Sequence, residues 1–590
     1  MPPGRQAPIY LPLGGFPSKA EISRKVDELS IGLGDINHQI YQESLSMERL
    51  IEQRVEISKK IKMLHSWHAP IHGIPNEVLC EIFSFCFPED HDCVMSVDAF
   101  PLVLARVCKR WRDLVFSHPL LWTSVHIPML PPPPRSDSHM YENSDESLLF
   151  REELQLKVRS HLQFVSRWLS RSGSTHFLST TLSCPPSAWY DADKYSRIPQ
   201  TYLEFLFLHG RRWRAIKVQS ADLTMTDLLG RLVTQQFVNL TKLELELAAP
   251  GFQRSSSDAN LSWGATANLL ARPGIRTLCL KCVLTGISRT KVSWGSLTHL
   301  VLGIGVSRSW PGNYMPDGAI SVAETHIILA QSANLVECKL VLSEKEGNMQ
   351  SPDEDDWDPI LLYSLVSLQV TDLGSKTIPK LLSSIRAPCL DRLEYYNTFR
   401  RPEPGVVAAL IGNPWTTATR HLALDTRYFE KKDLKKCLAA FGHINSFADE
   451  PTTFRFSRSP KIRKPLATAN ILLALLLPDK KGVVDCPQLR TIILKNGKDV
   501  KDITVLNFVK DRLTCSLQSG YSECTKLQRV AATLDHTSPT DADVVSKARE
   551  RLEAQLCLEL QYAPVTKPPP KNPYSPWAGI ARNDSEDHSL

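Results

Sequence analysis

The chain has 590 residues, 42% of them hydrophobic and 22% charged, ordinary proportions for a globular protein but far too long for one hydrophobic core. Its formal charge of +6, spread over that length, gives no reason to expect a nucleic-acid or membrane partner, which would need a concentrated basic face. The basic runs KKDLKK at 431–436 and KIRK at 461–464 read as solvated faces.

Residues 1–20 carry Pro and Gly throughout and lack the apolar stretch of a signal peptide, so they are expected to be disordered. The longest apolar run, ILLALLLP at 471–478, is too short to span a bilayer. The 14 cysteines are scattered, which fits reduced thiols and a cytoplasmic and/or nuclear location. Three Asn-x-Ser/Thr matches, at Asn239, Asn260 and Asn583, then carry little meaning.

A heptad helix is expected over 21–69. Apolar residues recur with 4-3 spacing at Ile22, Val26, Leu29, Leu33, Ile36, Ile40, Met47, Leu50, Ile57, Ile61 and Leu64, and only Glu43 and Arg54 break the pattern. Gly32 and Gly34 weaken the helix by about 1 kcal/mol each relative to Ala. Such a seam either forms a coiled-coil homodimer through residues 22–64 or folds back on its own chain, and Pro70 ends it.

Residues 70–127 form an apolar helical cluster. It opens with Ile74-Pro75-x-Glu77-Val78-Leu79-x-x-Ile82-Phe83, where Pro75 pre-sets the first helical turn and Glu77 suits a helix N-terminus. Val78, Leu79, Ile82 and Phe83 make one apolar stripe. The second half runs Leu102-Val103-Leu104-x-x-Val107-Cys108-Lys109-x-Trp111-Arg112-x-Leu114, and the segment closes on Pro119-Leu120-Leu121-Trp122. Between the halves lies PEDHDCVMSVDAFP at 88–101.

A strand-like TSVHI follows, then a Pro-rich linker at 128–147, semi-rigid and exposed. Helical periodicity resumes at Leu154, Val158, Leu162, Val165 and Leu169, with Gly173 as the stop. Beyond it one pattern recurs: apolar, two variable, apolar, one variable, apolar. It reads Trp213-Ile216-Val218, Leu240-Leu243-Leu245, Ile275-Leu278-Leu280, Leu297-Leu300-Leu302, Leu335-Cys338-Leu340, Leu365-Leu368-Val370 and Leu390-Leu393-Tyr395. Later copies are Leu422-Leu424, Pro451-Phe454-Phe456 and Leu489-Ile492-Leu494. The last two apolar positions fall on one face of a strand, and the first anchors the turn entering it.

This is the strand signature of leucine-rich repeats, with inserted loops, and units of this kind must stack to bury their apolar faces. An ordinary α/β domain with buried strands is the competing reading. The predicted fold class is therefore α (the N-terminal helix and the helices of the cluster at 70–127) plus α/β, with an irregular leucine-rich-repeat-like solenoid over 148–562. VKDITVLNFVKDRL and DADVVSKARERLEAQLCLEL read as helices capping its end, and residues 563–590 read as a disordered tail.

The cluster at 70–127 resembles an F-box, whose pattern is Leu-Pro-x-Glu-Leu/Ile-Leu-x-x-Ile-Phe, then Leu-x-x-Val-Cys-Lys-x-Trp-Arg, then a terminal Leu-Trp. The insert at 88–101 lengthens it beyond the family norm. The long preceding helix and RWLSRSG at 167–173 are similar to the large fungal F-box family. The resemblance implies docking on the adaptor protein of a cullin–RING ubiquitin ligase, with Ile74, Pro75, Val78, Leu79, Ile82, Leu104, Val107 and Trp111 facing the adaptor and Phe83 and Trp122 in the core. It also implies a non-catalytic receptor that binds an unknown protein substrate through the repeats. A scaffold using the same surfaces outside a ligase is the alternative.

Catalytic patterns fall short. Gly303-Ile304-Gly305 follows a strand, but Arg308 occupies the third glycine position and Pro311 blocks the helix a dinucleotide needs. Cys279 and Cys282 lie three apart on a strand, facing opposite sides, with no further zinc ligands in register. His65, His68 and His72 are separated by Pro70 and read as linker histidines. No cofactor or metal is expected, and an enzyme on the α/β region would need a deep pocket with convergent polar groups.

Overall fold

A 49-residue helix, α1 (Lys19–Trp67), opens the computed structural model. The structure describes residues 18–67, 70–130, 145–184, 197–220, 237–247, 270–281, 286–303, 319–343, 357–397, 404–450, 469–478, 483–497, 500–517, 524–534 and 555–562, with a few isolated positions from 539 to 577. The expectations for 1–17, for most of the Pro-rich linker, for Pro451-Phe454-Phe456 and for most of the tail lie outside these residues. The chain divides into two units, Met1–Ile82 and Phe83–Leu590.

In the first unit, α1 starts on a capping box. Ser18 Oγ accepts from the Glu21 backbone N–H at 3.3 Å, and a Glu21 carboxylate oxygen accepts from Ser18 N–H at 2.9 Å. None of the described side chains from Lys19 to Leu64 is buried. A 3-10 turn, Pro70–Gly73, separates this helix from α2 (Asn76–Ser84).

The second unit is organised by one long sheet. Among the described residues, fourteen strands follow one another in chain order, β1 (Ser124–Pro128), β2 (Leu178–Ser183), β3 (Trp213–Ser220), β4 (Lys242–Leu247), β5 (Thr277–Lys281), β6 (His299–Gly303), β8 (Glu337–Ser343), β10 (Ser367–Asp372), β12 (Arg392–Asn397), β13 (His421–Leu424), β14 (Ser446–Asp449), β15 (Thr491–Gly497), β16 (Arg529–Leu534) and β17 (Cys557–Tyr562). Short β7 (Ile320–Ser321) joins β8, and β9 (Ile360–Leu361) pairs separately with β11 (Ile385–Arg386). Every pair is parallel.

Register explains the recurring triplet. One row of aligned residues runs Leu243, Leu278, Leu300, Cys338, Leu368, Leu393 and Leu422 across seven strands. Two positions on, Leu245, Leu280, Leu302, Leu340, Val370, Tyr395 and Leu424 form a second row. All of these are buried. Parallel strands covered by helices bury such rows, and each strand-to-strand step removes another set of apolar groups from water.

The covering helices are short. Ser321 caps α7 (Val322–Ala330) by accepting from the Glu324 N–H at 3.2 Å. Next to it α8 (Ile378–Ser384) packs against α9 (Pro404–Ile411). Gly405 permits that approach, since a Cβ there would sit 3.0 Å from Pro379 Cβ. Further on, α12 (Asp502–Leu517) carries buried Arg512, which donates to the carbonyls of Leu476, at 2.8 Å, and Cys486.

The structure also holds elements that the sequence reading did not give. Strand β14, with Ile444, Phe447 and Asp449 as its triplet, was not anticipated, and a carboxylate takes the third apolar place. The segment 557–560, expected as part of a capping helix, is in β17 and extends the sheet. Strand β16, with Leu527, Val530 and Ala532 buried, was not anticipated either. Finally, the boundary at 128–147 does not separate the helical cluster from the sheet: β1 precedes it, β2 follows it, and the two pair over five residues.

Candidate docking surfaces

The segment from 71 to 128 is built from α2, α3 (Leu102–Ala105), α4 (Lys109–Ser117), a 3-10 turn Pro119–Trp122 and β1. Pro75 sets the start of α2 and its carbonyl accepts from the Leu79 N–H at 3.0 Å. On α2, Val78 is 45% and Ile82 43% exposed, Pro75 is exposed and Ile74 half-buried. Leu79 has no exposed surface. In this conformation it is buried, and of the residues expected to face the adaptor it alone presents no accessible area.

In the second unit, Val107 is 60% exposed, while Leu104 and Trp111 are half-buried. The Trp111 ring meets Phe83 edge-on at 4.8 Å between centroids, which leaves part of the indole open. Cys108 caps α4, its sulfur accepting from the Trp111 N–H at 3.5 Å, and Arg112 Nε donates to the Ala105 carbonyl at 3.0 Å across the α3–α4 corner. Further exposed apolar groups lie within the segment, Phe85 at 81%, Val103 at 40% and Leu120 at 44%. The family pattern gives no signal for Phe85, because it falls just past the end of α2.

The closing Leu-Trp is a structural anchor. Trp122 is fully buried, and its indole N–H donates to the Val115 carbonyl at 2.9 Å. It stacks on Phe116 at 5.4 Å and meets Trp168 of α5 (Asp145–Ser170) edge-on at 4.7 Å. The Arg171 guanidinium lies over both the Phe116 and Trp122 rings, 4.8 and 4.5 Å from their centroids. Trp168 in turn donates to the Ser124 carbonyl at 3.1 Å, so the end of the helical cluster is locked to the first strand.

The insert at 88–101 also serves the sheet. Val94 bridges to His126 of β1 on its free edge, and the His126 N–H donates to the Cys93 carbonyl at 2.7 Å. Asp92 gathers three hydroxyls: Ser124 and Ser179, each at 2.7 Å, and Thr181 at 2.6 Å. Three strong donors on one carboxylate tie β1 to β2 from the loop.

The opposite face of the sheet presents the residues between the two buried rows. Over β3 and β4 they are charged, Lys217 and Glu244, and on β5 the place is taken by buried Cys279. Lys217 lies 3.5 Å and Lys242 2.8 Å from Glu244, and Lys281 reaches Glu246 at 4.0 Å. Burial opposes ionisation of Glu244, but the Lys242 hydrogen bond and the Lys217, Lys242 and Lys281 charges outweigh it and lower its pKa. Over β13–β15 the row turns apolar, with Ala423, Ala448 and Ile493 aligned, while β12 places Glu394 in it. Tyr396, Ala423 and Ala448 form a cluster against which Ile493 packs. The Tyr396 hydroxyl sits 3.0 Å from a Glu394 oxygen and 3.2 Å from one of Glu450, while Lys495 pairs with Glu450 at 2.8 Å. Burial, then the Glu394 and Glu450 charges, push the Tyr396 phenol well above its ordinary range.

Catalytic alternatives find little support in side-chain chemistry. Burial raises the thiols of Cys93, Cys338, Cys437 and Cys486 to about 12 and that of Cys279 to about 11, which removes their thiolate character at neutral pH. Gly303 ends β6, and the residues after it, like Cys282 and the side chains of His65, His68 and His72, lie outside the description. Among the described residues no group of His, Cys, Asp or Glu could hold a metal ion, and no helix is long and apolar enough to cross a membrane. A cleft beside Gly442 and Pro487 is lined also by His443, Gln488, Arg490 and Thr525.

The family model described as F-box-like matches residues 71–128. No curated protein matches the chain. F-box-like domains are protein–protein interaction modules that dock on the adaptors of cullin–RING ubiquitin ligases, and their proteins are generally non-catalytic. Residues 71–128 of this chain, running from the turn before α2 to the end of β1, are an F-box-like domain.

Proposed function

We propose that the chain is the substrate-recognition subunit of a cullin–RING ubiquitin ligase. The F-box-like domain at 71–128 carries this reading. On α2 and the two residues before it, the docking residues are Ile74, Pro75, Val78 and Ile82. Around α3 and α4 they are Leu104, Val107 and Trp111. Each of these has exposed surface, and in an adaptor interface their apolar area would be buried.

The long sheet is the recognition element, read as an irregular leucine-rich-repeat-like solenoid. Its small apolar patch at Tyr396, Ala423 and Ala448, rimmed by Glu394 and Glu450, suits an apolar target side chain beside a basic one. The receptor does no chemistry. It raises the concentration of its target near the charged ubiquitin-transfer enzyme, and proximity accelerates transfer.

The test is co-purification of the full chain with the ligase adaptor and cullin. Val78→Asp with Val107→Asp should abolish adaptor capture while leaving the circular-dichroism melting curve unchanged, because both sites are exposed. Retained capture would overturn the docking assignment. Failure of the unmodified chain to recruit any cullin, with targets still bound, would favour the scaffold reading.

A further inference from the structure

The seam of α1 is continuous and open. Its apolar positions from Leu33 to Leu64 are 49% to 60% exposed. An isolated helix gains little from such a stripe, and most helical stability in proteins comes from covering it. The two exceptions to the stripe, Glu43 and Arg54, say what the cover is. Written as a heptad, Ile22 and every seventh residue after it is a d position, so Glu43 is a d residue and Arg54 an a residue.

In a parallel, in-register pair, a faces a and d faces d. Glu43 would then meet Glu43 and Arg54 would meet Arg54 inside the seam, two like-charge contacts at low solvent exposure. Reversing one helix exchanges a for d. With the two-fold axis between Glu48 and Arg49, Glu43 falls opposite Arg54 of the other copy, twice, by symmetry. The same register sets Met47 opposite Leu50 and Leu33 opposite Leu64, and every other layer between is apolar against apolar.

We infer that α1 forms an antiparallel two-stranded coiled coil with α1 of a second copy, paired over residues 33–64. Three further observations agree. Among the described residues, Glu43 and Arg54 have no ion pair within their own helix, whereas Lys25 pairs with Glu28 at 2.9 Å and Lys60 with Glu56 at 2.8 Å. The overlap begins between Gly32 and Gly34, where the helix is intrinsically weakest, and Ile22, Val26 and Leu29 lie beyond it. Its length, about 48 Å at 1.5 Å per residue, buries on the order of 1,500 Å², the size of a stable interface. The remaining e and g positions carry only Lys25 and Lys60 as charged residues besides His65, so the seam itself specifies the partner and its direction.

The inference concerns α1 alone and stands whether or not the receptor reading does. Sedimentation of the full chain at micromolar concentration should give twice the 66.3 kDa of one copy. E43R and R54E should each raise the dimer dissociation constant at least tenfold, and E43R/R54E should return it to within about threefold of the starting value. A parallel dimer would show no loss in the single variants, and that result overturns the orientation. Chains carrying L33C, mixed with chains carrying L64C, should cross-link as mixed pairs under mild oxidation; L33C pairs only with itself in the parallel arrangement. A monomer at all concentrations, or a helix covered by a different protein, would overturn the inference.

Discussion

The N-terminal helix and the sheet carry equally regular apolar patterns, yet they treat them in opposite ways. In the sheet, Leu243, Leu278 and Leu300 are each covered, their neighbours on adjoining strands being supplied by the same chain a few dozen residues later. In α1, Leu33, Ile40 and Leu50 stay more than half exposed. Periodicity therefore reports that a surface will be covered, not by what. A repeat that recurs along the chain provides its own cover, whereas a single heptad stretch must borrow it.

That contrast can be broken most forcefully at Trp122. Replacing it with Ala removes a fully buried indole, its hydrogen bond to Val115 and its packing on Phe116 and Trp168, and should cost about 3–5 kcal/mol in urea unfolding. Ile40→Ala in α1 should leave the same unfolding transition in place. A similar loss from both substitutions would show that the helix belongs to the sheet's core.

A smaller effect is expected at Asp449, where the buried row is interrupted. Burial raises its pKa from 3.8 to about 6; hydrogen bonds from the Thr426 hydroxyl and N–H and the Arg427 charge oppose the rise, and Asp425 adds to it. Its second carboxylate oxygen has no hydrogen-bond partner among the described residues. Because the folded pKa lies above the unfolded one, the favourable contribution is complete below about pH 4 and is lost as pH rises through 6. Asp449→Asn should therefore stabilise the fold by roughly 1–3 kcal/mol at pH 7.5 and by little at pH 4.5. Denaturant titrations at the two pH values check this, and a gain independent of pH would refute the cause assigned.

The smallest effect sharpens the helix side. A Cβ at Gly34 would meet nothing within 4 Å, so Gly34→Ala should add about 1 kcal/mol to α1 and raise the helical signal without moving the sheet's transition. A shift in the sheet transition would tie the two together.

How much of this was legible beforehand depended on the chemistry of single positions. The F-box-like segment was readable because Ile74-Pro75, Val107-Cys108-Lys109, Trp111 and the closing Leu121-Trp122 occur in a fixed order. The same motif did not foretell that Leu79 is buried while Val78 and Ile82 are exposed, since a motif fixes identity and spacing but not which side of α2 ends up covered. Strands β3, β4, β5, β6, β8, β10 and β12 announced themselves through their paired apolar rows. Strand β14 hid because Asp449 stands where Val or Leu was expected, and β16 because Ala532 is too small to stand out. Strand β17 lies in a stretch rich in Glu, Leu and Ala, whose helix propensity is overridden by pairing with β16. Prolines at 131–134 suggested a boundary, although hydrogen bonds between strands are indifferent to what the connecting chain is made of.

Because the last strand of the F-box-like domain is the first strand of the sheet, distance along the molecule is counted in strands. Parallel neighbours stand about 4.8 Å apart, so the Tyr396 patch on β12 lies eight steps from β1, on the order of 40 Å measured across the ladder. In the receptor reading that sheet is a ruler. Its graduations are covalently continuous with the docking end, and adding or removing one strand would shift a bound target by one graduation. The reach of such a device is set by register, in whole units, and not by the slack of a tether.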